Sequence, residues 1–328
     1  MLRTLSSGFR SSFVLLLMLI TLAVDSRDAA AQLVPGDDSP YAAQRGAPSV
    51  VRWQVGAIVR ANQGPVRGLG ITIPVPTDWP DQTVKVDEES FSPHVADVGY
   101  RTIDGGVRQM IVSIPAIEPG DQAQASLILE ITTYALTPPE STDELTIPRN
   151  PPRDVRRAVG SSPFINPRHR DFRKLAEELT ADAENDWQKV ERLYDWVRDN
   201  IEQSNEPMRG AEKTIDAKSG STEDLVNVFV ALCRSIKIPA RIVWVTNHQY
   251  AEFYLEDPDG KGHWYPCQLA GDREFGGMSD ARPILQRGDN FLVPEKREPY
   301  RFVPELVKGA AGGGRPSITF LRARAAGN

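Results

Sequence analysis

The stretch that decides the fold runs from residue 220 to residue 268 and reads GSTEDLVNVFVALCRSIKIPARIVWVTNHQYAEFYLEDPDGKGHWYPCQ. Between Leu225 and Ile236 it leaves little polar surface, which predicts a helix buried on nearly every side. Ser221 and Asp224 have the spacing of a capping box, and Thr222 is also a competent N-cap residue. We therefore expect a core helix that begins close to Ser221.

The order of motifs around this helix resembles the catalytic core of the transglutaminase-like superfamily, whose fold is related to papain-type cysteine proteases. The motifs that carry the resemblance are an upstream helix, the buried helix itself, a Pro-Ala-Arg segment, a His with a Glu four residues later, and a Trp-x-Pro strand. In this chain they are Trp196–Ile201, Leu225–Ile236, Ile238–Arg241, His248 with Glu252, and Trp264 with Pro266. The resemblance covers about residues 170–270.

The resemblance implies three catalytic positions, and two of them hold unexpected residues. The family has a Cys at the helix start, a His at the start of the next strand, and an Asp after the Trp-x-Pro-x strand. This chain has Thr222, His248 and Gln268 at those positions. A Cys at a helix N-terminus has a lowered pKa, whereas a Thr hydroxyl stays neutral, so the sequence predicts a degenerate triad. Gln268 could still orient an imidazole, although it supplies no charge.

Three functions follow from this pattern. The first is a catalytically inactive protein that binds a peptide or a protein partner in the former substrate groove, with Trp244, Tyr250 and Trp264 as binding residues. The alternative is an active acyltransferase or amide hydrolase that uses Thr222 or Cys267 as an unconventional nucleophile and His248 as the base. The third is a structural envelope module in which a β-rich domain does the binding.

The two cysteines, Cys233 and Cys267, are expected to be separate buried thiols. Cys233 lies about 16 Å along the helix from Thr222, whereas the resemblance places Cys267 beside the third catalytic position, near the helix start. A disulfide needs Cα atoms closer than about 7 Å. On a strand, Cys267 points away from the face that Gln268 occupies. His263 is expected to be exposed in a turn, and no His or Cys pair has metal-ligand spacing, so we expect no metal and no cofactor.

Upstream of the core the pattern is β. Residues 49–135 alternate apolar and polar side chains, as in Val51, Trp53 and Val55, with turn signals between the segments. They predict a small antiparallel β-sandwich domain, preceded by a flexible lead-in at 32–48 and followed by a Pro-rich linker at 136–165. The predicted fold class is α+β, an N-terminal antiparallel β-sandwich followed by a transglutaminase-like, papain-like core at 166–308. A Gly-rich tail follows at 309–328, in which residues 317–321 could add an edge strand.

Residues 1–31 have the pattern of a secretory signal peptide. Arg3 and Arg10 precede the apolar run Phe13–Val24, and small residues at 29–31 offer a cleavage site. An uncleaved membrane anchor is the other interpretation of this run. We expect an exported chain, periplasmic or secreted, with no integral membrane span after cleavage. The 328 residues carry a formal net charge of −6, which argues against nucleic acid as a partner.

Overall fold

The computed structural model describes residues 38–309 and 315–325. The predicted signal peptide and the first part of the predicted lead-in lie outside these residues. Within them, every helix is too short or too polar to cross a bilayer.

The described part of the chain starts with six strands, continues through five helices with two short strands among the last three, and then returns to strands. The first strands are β1 (Gln44–Arg60), β2 (Val66–Val75), β3 (Gln82–Phe91), β4 (Asp97–Thr102), β5 (Arg108–Ile117) and β6 (Gln122–Thr137). The helices are α1 (Arg153–Arg156), α2 (Arg170–Thr180), α3 (Asp186–Asn200), α4 (Ala211–Ala217) and α5 (Thr222–Ser235), and a 3-10 turn at Arg157–Val159 follows α1. The later strands are β7 (Glu202–Gln203), β8 (Ser219–Gly220), β9 (Ala240–Val245), β10 (His248–Glu256), β11 (Gly262–Gln268), β12 (Glu274–Phe275), β13 (Ile284–Arg287), β14 (Leu306–Lys308) and β15 (Ser317–Arg324).

Two four-stranded sheets form a β-sandwich, with strand orders β15-β1-β6-β3 and β14-β2-β5-β4. Alternate residues of β1, β2, β5 and β6 point between the sheets and share one buried cluster, for example Trp53, Ile71, Met110 and Leu129. This is the arrangement that period-two alternation predicts, since each sheet needs a second layer to cover its apolar face.

The second half of the chain builds an α+β core around helix α5. Its five-stranded antiparallel sheet has the order β12-β11-β10-β9-β13. One cluster of buried side chains joins α5 to α2, α3 and one face of this sheet, and includes Phe172, Leu193, Phe229 and Phe253. The helix is buried from Asp224 to Arg234, in agreement with its nearly continuous apolar sequence. The predicted α+β fold class is confirmed.

The sandwich takes strands from both ends of the chain, which the contiguous interval 49–135 did not predict. Strand β1 already begins at Gln44, inside the predicted lead-in, and β15 from the predicted tail pairs with it along Trp53–Arg60. Strand β14 adds to β2 in the other sheet. An unpaired edge leaves backbone donors and acceptors without partners, so covering the edges of β1 and β2 is the physical reason for this return.

Candidate functional site

The start of helix α5 is fixed by a complete capping box. Ser221 is the N-cap residue, its hydroxyl accepts a hydrogen bond from the backbone N–H of Asp224, and the Asp224 carboxylate accepts one from the backbone N–H of Ser221. Thr222 is therefore the first helical residue and not the cap, which corrects the second capping assignment made from the sequence.

Asp224 does more than complete the box. Its side chain is fully buried and also accepts hydrogen bonds from the backbone N–H groups of Arg209 and Gly210, at 3.0 and 2.8 Å. Gly220 packs so closely that a Cβ there would lie 2.7 Å from the Cβ of Asp224. The loop before α4 and the start of α5 are thus locked to each other, which holds Thr222 in a defined place.

The Thr222 hydroxyl is engaged by a neighbouring amide. Gln203 Nε2 donates a hydrogen bond of 3.0 Å to Thr222 Oγ1. Gln203 reaches this place because the short parallel pair of β7 and β8 sets residues 202–203 beside residues 219–220. No sequence motif pointed to Gln203, since this residue lies in the two-residue strand β7 between two helices.

His248 and Gln268 meet as the resemblance implies. His248 begins β10, Gln268 ends β11, and a distance of 2.8 Å joins His248 Nε2 to Gln268 Oε1. A carbonyl oxygen can only accept a hydrogen bond, so Nε2 carries the hydrogen and Nδ1 of the neutral ring is left without one. Gln268 is itself held by Tyr194 and Arg198, which both donate to its backbone oxygen. The amide therefore orients the imidazole and adds no negative charge beside it.

Thr222 and His248 line one open cavity, which we call the groove. It has a volume of about 1230 Å³. It is lined by the start of α5, the β9–β10 turn, the loop after β7 and part of β15. Its lining includes the side chains of Gln203, Thr222, Glu223, Trp244, His248 and Phe302.

Behind one wall of the groove, Arg301 supports the lining residues Glu223 and Trp244, a contact that the sequence did not reveal. The Arg301 guanidinium lies 4.7 Å from the Trp244 ring centroid and donates to Glu223 Oε2 at 2.8 Å. Phe302 packs edge-on against Trp244 with centroids 5.1 Å apart. Burial lowers the pKa of Arg301, although Glu223 opposes the shift. Arg301 and Phe302 lie in a Pro-bounded segment near the C-terminus, and only their aromatic and basic character in an otherwise loop-like stretch could have drawn attention to them.

The three aromatic residues expected to flank the groove are separated in the structure. Trp244 lines the groove, as predicted. Tyr250 is only 5% exposed and packs with Val243, Met278 and Ile284 on the other face of the sheet. Trp264 lines a different cavity. Tyr250 and Trp264 therefore do not flank this groove, and both lie on the sheet face opposite to Trp244 and α5.

His263 is buried, which corrects the expectation of an exposed residue in a turn. It lies on β11, is 7% exposed, and its Nε2 is 2.9 Å from Asp257 Oδ2. Asp257 closes the β10–β11 connection through this contact and through the backbone N–H groups of Asp259 and Lys261. The Gly-rich sequence around His263 predicted the turn correctly but placed it too close to the histidine.

Both thiols are enclosed in the core and neither lines the groove. Cys233 and Cys267 are free cysteines with no exposed surface. Burial raises the pKa of both thiols well above the ordinary range. Cys267 Sγ lies 3.6 Å from the backbone oxygen of Ala251, and its side chain points into the cluster around α5. The register is therefore the one in which Gln268, and not Cys267, faces His248.

No group of three or more His, Cys, Asp and Glu side chains in the part of the chain that the structure describes could hold a metal ion.

Residues 173–269, which include Thr222, His248 and Gln268, match the family model described as the transglutaminase-like superfamily. The chain contains a transglutaminase-like domain. The match runs from helix α2 to the end of strand β11, so it takes in the buried helix and the strands that carry the three positions. No curated protein matches the sequence.

Two solved structures are similar to the chain. One is from Cytophaga hutchinsonii and is described as a "putative cysteine protease", with 16% identity, a TM-score of 0.53, and coverage of 86% of this chain and 94% of that one. The other, from Parabacteroides distasonis, is described as a "putative protease", with 15% identity, a TM-score of 0.27, and coverage of 67% and 47%. At 16% identity the first likeness concerns the fold, and it extends beyond the transglutaminase-like domain to most of the chain.

Proposed function

We propose that this chain is an exported transglutaminase-like protein whose groove binds a peptide or a protein partner and does not catalyse a reaction. The observation that carries the proposal is the residue at the start of α5. A neutral hydroxyl, Thr222, stands there in the same groove as His248 and accepts a hydrogen bond from Gln203.

The electric field at the helix start is too weak to make Thr222 a nucleophile. A helix N-terminus stabilises a negative charge by about 0.3–1 kcal/mol at an exposed site, and one pKa unit corresponds to about 1.36 kcal/mol. The expected shift is therefore smaller than about one unit, whereas an aliphatic alcohol ionises far above neutral pH. Threonine nucleophiles work where a free amine or another strong base activates them, and Thr222 is internal to the chain.

The imidazole also lacks the partner that would make it a strong base. In a triad, a carboxylate stabilises the imidazolium that forms when the nucleophile gives up its proton. Gln268 orients His248 at 2.8 Å but leaves that positive charge without compensation. Both changes reduce proton transfer, so the retained geometry favours binding over chemistry.

The groove has the size and lining of a binding site. Its volume of about 1230 Å³ exceeds the range of about 300–1,000 Å³ that small ligands occupy, which suits an extended peptide. Trp244 and Phe302 provide apolar surface, and the amide of Gln203 and the ring of His248 provide polar groups. Aromatic side chains of this kind carry much of the energy of protein interfaces.

Site-specific crosslinking tests the binding. A photoreactive benzoylphenylalanine replaces Phe302 in the groove, or Phe164 as a matched control that is 53% exposed and outside it. The proposal predicts crosslinks to one partner from position 302 and none to that partner from position 164. A groove-filling Thr222→Trp substitution should remove the crosslink. Equal crosslinking from both positions, or no crosslink from position 302 in extracts of the native envelope, would show that the groove is not the binding surface.

Export is tested separately by the N-terminus of the protein from its source cells. Cleavage after residue 31 leaves a chain that begins at Gln32. Mass spectrometry should therefore find Gln32 as the first residue of protein recovered outside the cytoplasm. A chain that keeps Met1 and stays in the cytoplasmic fraction contradicts export while leaving the groove proposal standing.

A further inference from the structure

A second cavity of about 610 Å³ shares no lining residue with the groove. It lies among the β4–β5 hairpin, the segment of α1 and the following 3-10 turn, and the face of the five-stranded sheet that is turned away from α5. We call it the arginine cavity, because Arg153, Arg157, Arg234, Arg241 and Arg287 line it together with only three aspartates, Asp104, Asp154 and Asp289.

Arg241 presents unused donors to this cavity. It lies on β9 directly before Ile242, whose side chain packs in the cluster around α5. Strand alternation therefore points the Arg241 side chain to the opposite face of the sheet. Its guanidinium carbon lies 3.9 Å from the centroid of the Trp264 ring, and its Nε donates to Glu252 Oε2 at 2.7 Å. The two terminal nitrogens have no hydrogen-bond acceptor among the described residues. A guanidinium that stacks on a ring keeps its N–H groups in its own plane, where an anion can accept hydrogen bonds from them.

The carboxylates near Arg241 are shared or already engaged. Glu252 also lies 3.3 Å from Arg287, which in turn holds Asp81 at 2.6 Å. Burial opposes the shift, but Asp81 and Glu252 raise the pKa of Arg287. Burial lowers the pKa of Arg241 even though Glu252 is beside it. Glu252 is therefore shared by two guanidiniums, and Arg241 has no second carboxylate among the described residues to match the Asp81 of Arg287.

The other lining arginines show the same contrast between engaged and available donors. Arg234 holds Asp289 through both carboxylate oxygens, and Arg157 pairs with Asp104. Arg153 is exposed at the cavity and has no ion-pair partner in the described part of the chain. Arg241 and Arg153 are therefore the lining arginines with donors available to a ligand.

Flat apolar walls complete the cavity. Trp264 lies under Arg241, and Trp79 and Phe291 form further lining. The hairpin can approach these rings because Gly105 and Gly106 have φ of +95° and +81°, and a Cβ on Gly106 would lie 3.1 Å from the Trp79 ring. The volume of the cavity falls within the range of about 300–1,000 Å³ that small ligands occupy.

We propose that the arginine cavity binds a small organic oxyanion, a carboxylate or a phosphate ester attached to a flat apolar group. The Arg241 fork and Arg153 receive the oxyanion, and the aromatic walls receive the ring. Planar arginine donors pair with carboxylate and phosphate oxygens in the same two-point geometry. The site stands independently of the groove, so failure of one proposal leaves the other in place.

Calorimetric titration of the mature chain with phenyl phosphate, benzoate and benzyl alcohol tests this proposal. One or both anions should bind, with an affinity that falls as salt is raised, and the neutral alcohol should bind at least tenfold more weakly. Preference between the two anions tells which oxyanion the cavity favours. Absence of binding by both anions, or equal binding by the alcohol, overturns the proposal.

Variants locate the binding to the cavity. Arg241→Gln should weaken anion binding at least tenfold, whereas Arg170→Gln should leave it unchanged, because Arg170 is on the surface with 93% of its side chain exposed. If loss of the contact with Glu252 prevents folding of the first variant, Arg153→Gln removes only an exposed charge and should weaken binding about threefold. Anion binding that is unchanged in Arg153→Gln and in the folded Arg241 variant places the ligand elsewhere and refutes the assignment.

Discussion

At the residue scale, the chemistry of the groove depends on whether the side chain of residue 222, the first residue of α5, carries an oxygen or a sulfur. The backbone there is held by the Ser221–Asp224 box, and Gln203 donates to the Thr222 hydroxyl at 3.0 Å. A thiol in the same place would feel the positive end of the helix and the imidazole of His248 on the same cavity wall. The fold therefore keeps the environment that lowers a thiol pKa and places an alcohol in it.

Introducing a sulfur at position 222 should show how far the start of α5 lowers the pKa of a thiol. In Thr222→Cys we expect a thiol pKa below the ordinary value of about 8.5, because the helix N-terminus favours the thiolate. The rate of iodoacetamide alkylation as a function of pH measures it. The unaltered chain should resist labelling, since Cys233 and Cys267 have no exposed surface.

A matched control is Asn200→Cys, which puts an exposed thiol at the last residue of α3. The C-terminal end of a helix disfavours an anion, so this thiol should titrate at or above the ordinary value. Identical titration midpoints for the two introduced thiols would mean that the start of α5 no longer activates a nucleophile.

Residues whose role depends on local spacing could be predicted from the sequence, and residues placed by distant segments could not. Ser221 and Asp224 followed from the capping rule, and His248 and Gln268 followed from the resemblance. Gln203 and Arg301 contact the groove residues Thr222 and Glu223 from 19 and 78 residues away, and no local pattern encodes such a contact. Tyr250 was misplaced because the face to which a strand residue points depends on register.

At the element scale, one buried carboxylate anchors the N-terminal end of α5. Asp224 accepts backbone hydrogen bonds from Ser221, Arg209 and Gly210. Removal of the carboxylate leaves these buried donors without an acceptor, and each unsatisfied group costs about 1–3 kcal/mol.

We therefore expect Asp224→Ala to lower the free energy of unfolding by at least about 2 kcal/mol, measured by urea denaturation. Asp199→Ala, an exposed aspartate on α3, should change it by less than about 0.5 kcal/mol. Equal effects of the two substitutions would show that the network at the start of α5 contributes nothing to stability.

The connection between β10 and β11 gives stability a defined pH dependence. Burial would raise the pKa of Asp257, but His263 and the backbone N–H groups of Lys261 and Asp259 outweigh it, so the pKa lies below the usual 3.8. A carboxylate with a depressed pKa in the folded state stabilises the protein above the unfolded pKa. That contribution is lost as the pH falls through the folded pKa.

Asp257→Asn should therefore cost about 1–3 kcal/mol at pH 7, because the contact with His263 Nε2 is lost. The difference from the unaltered chain should shrink below pH 4, where the aspartate becomes protonated. Urea denaturation at pH 7 and pH 3 measures both values. A difference that stays constant between the two pH values would show that Asp257 is not held as a carboxylate in the folded chain.

At the scale of the whole molecule, strand β1, near the start of the described residues, pairs with β15, near their end, in one sheet of the sandwich. Strand β15 covers the edge of β1, and its Ile318 and Phe320 pack against the sandwich core. The sequence predicted a sandwich from alternation in residues 49–135, but strand pairing between residues so far apart leaves no periodic signal. Composition predicted a Gly-rich tail with a possible edge strand at 317–321, and a strand forms there as β15, paired with β1.

Truncation after Gly309 should expose the edge of β1. We expect a loss of about 2–4 kcal/mol from the half-buried Ile318 and Phe320, together with self-association through the open edge. Urea denaturation and analytical ultracentrifugation measure the two effects. A chain that ends at Ala325 keeps β15 and should behave as the full chain does. If the chain that ends at Gly309 is as stable as the full chain, β15 is dispensable.

Turnover by the unaltered chain tests the absence of catalysis most directly. Release of ammonia from a glutamine-containing protein, with and without a fluorescent amine as acceptor, and hydrolysis of a peptide substrate report acyl transfer and amide cleavage together. We expect rates at the uncatalysed background for the unaltered chain, Thr222→Ala and His248→Ala alike. Turnover by the unaltered chain that disappears in both variants would contradict this expectation, because Thr222 would then be a working nucleophile and the groove an active site.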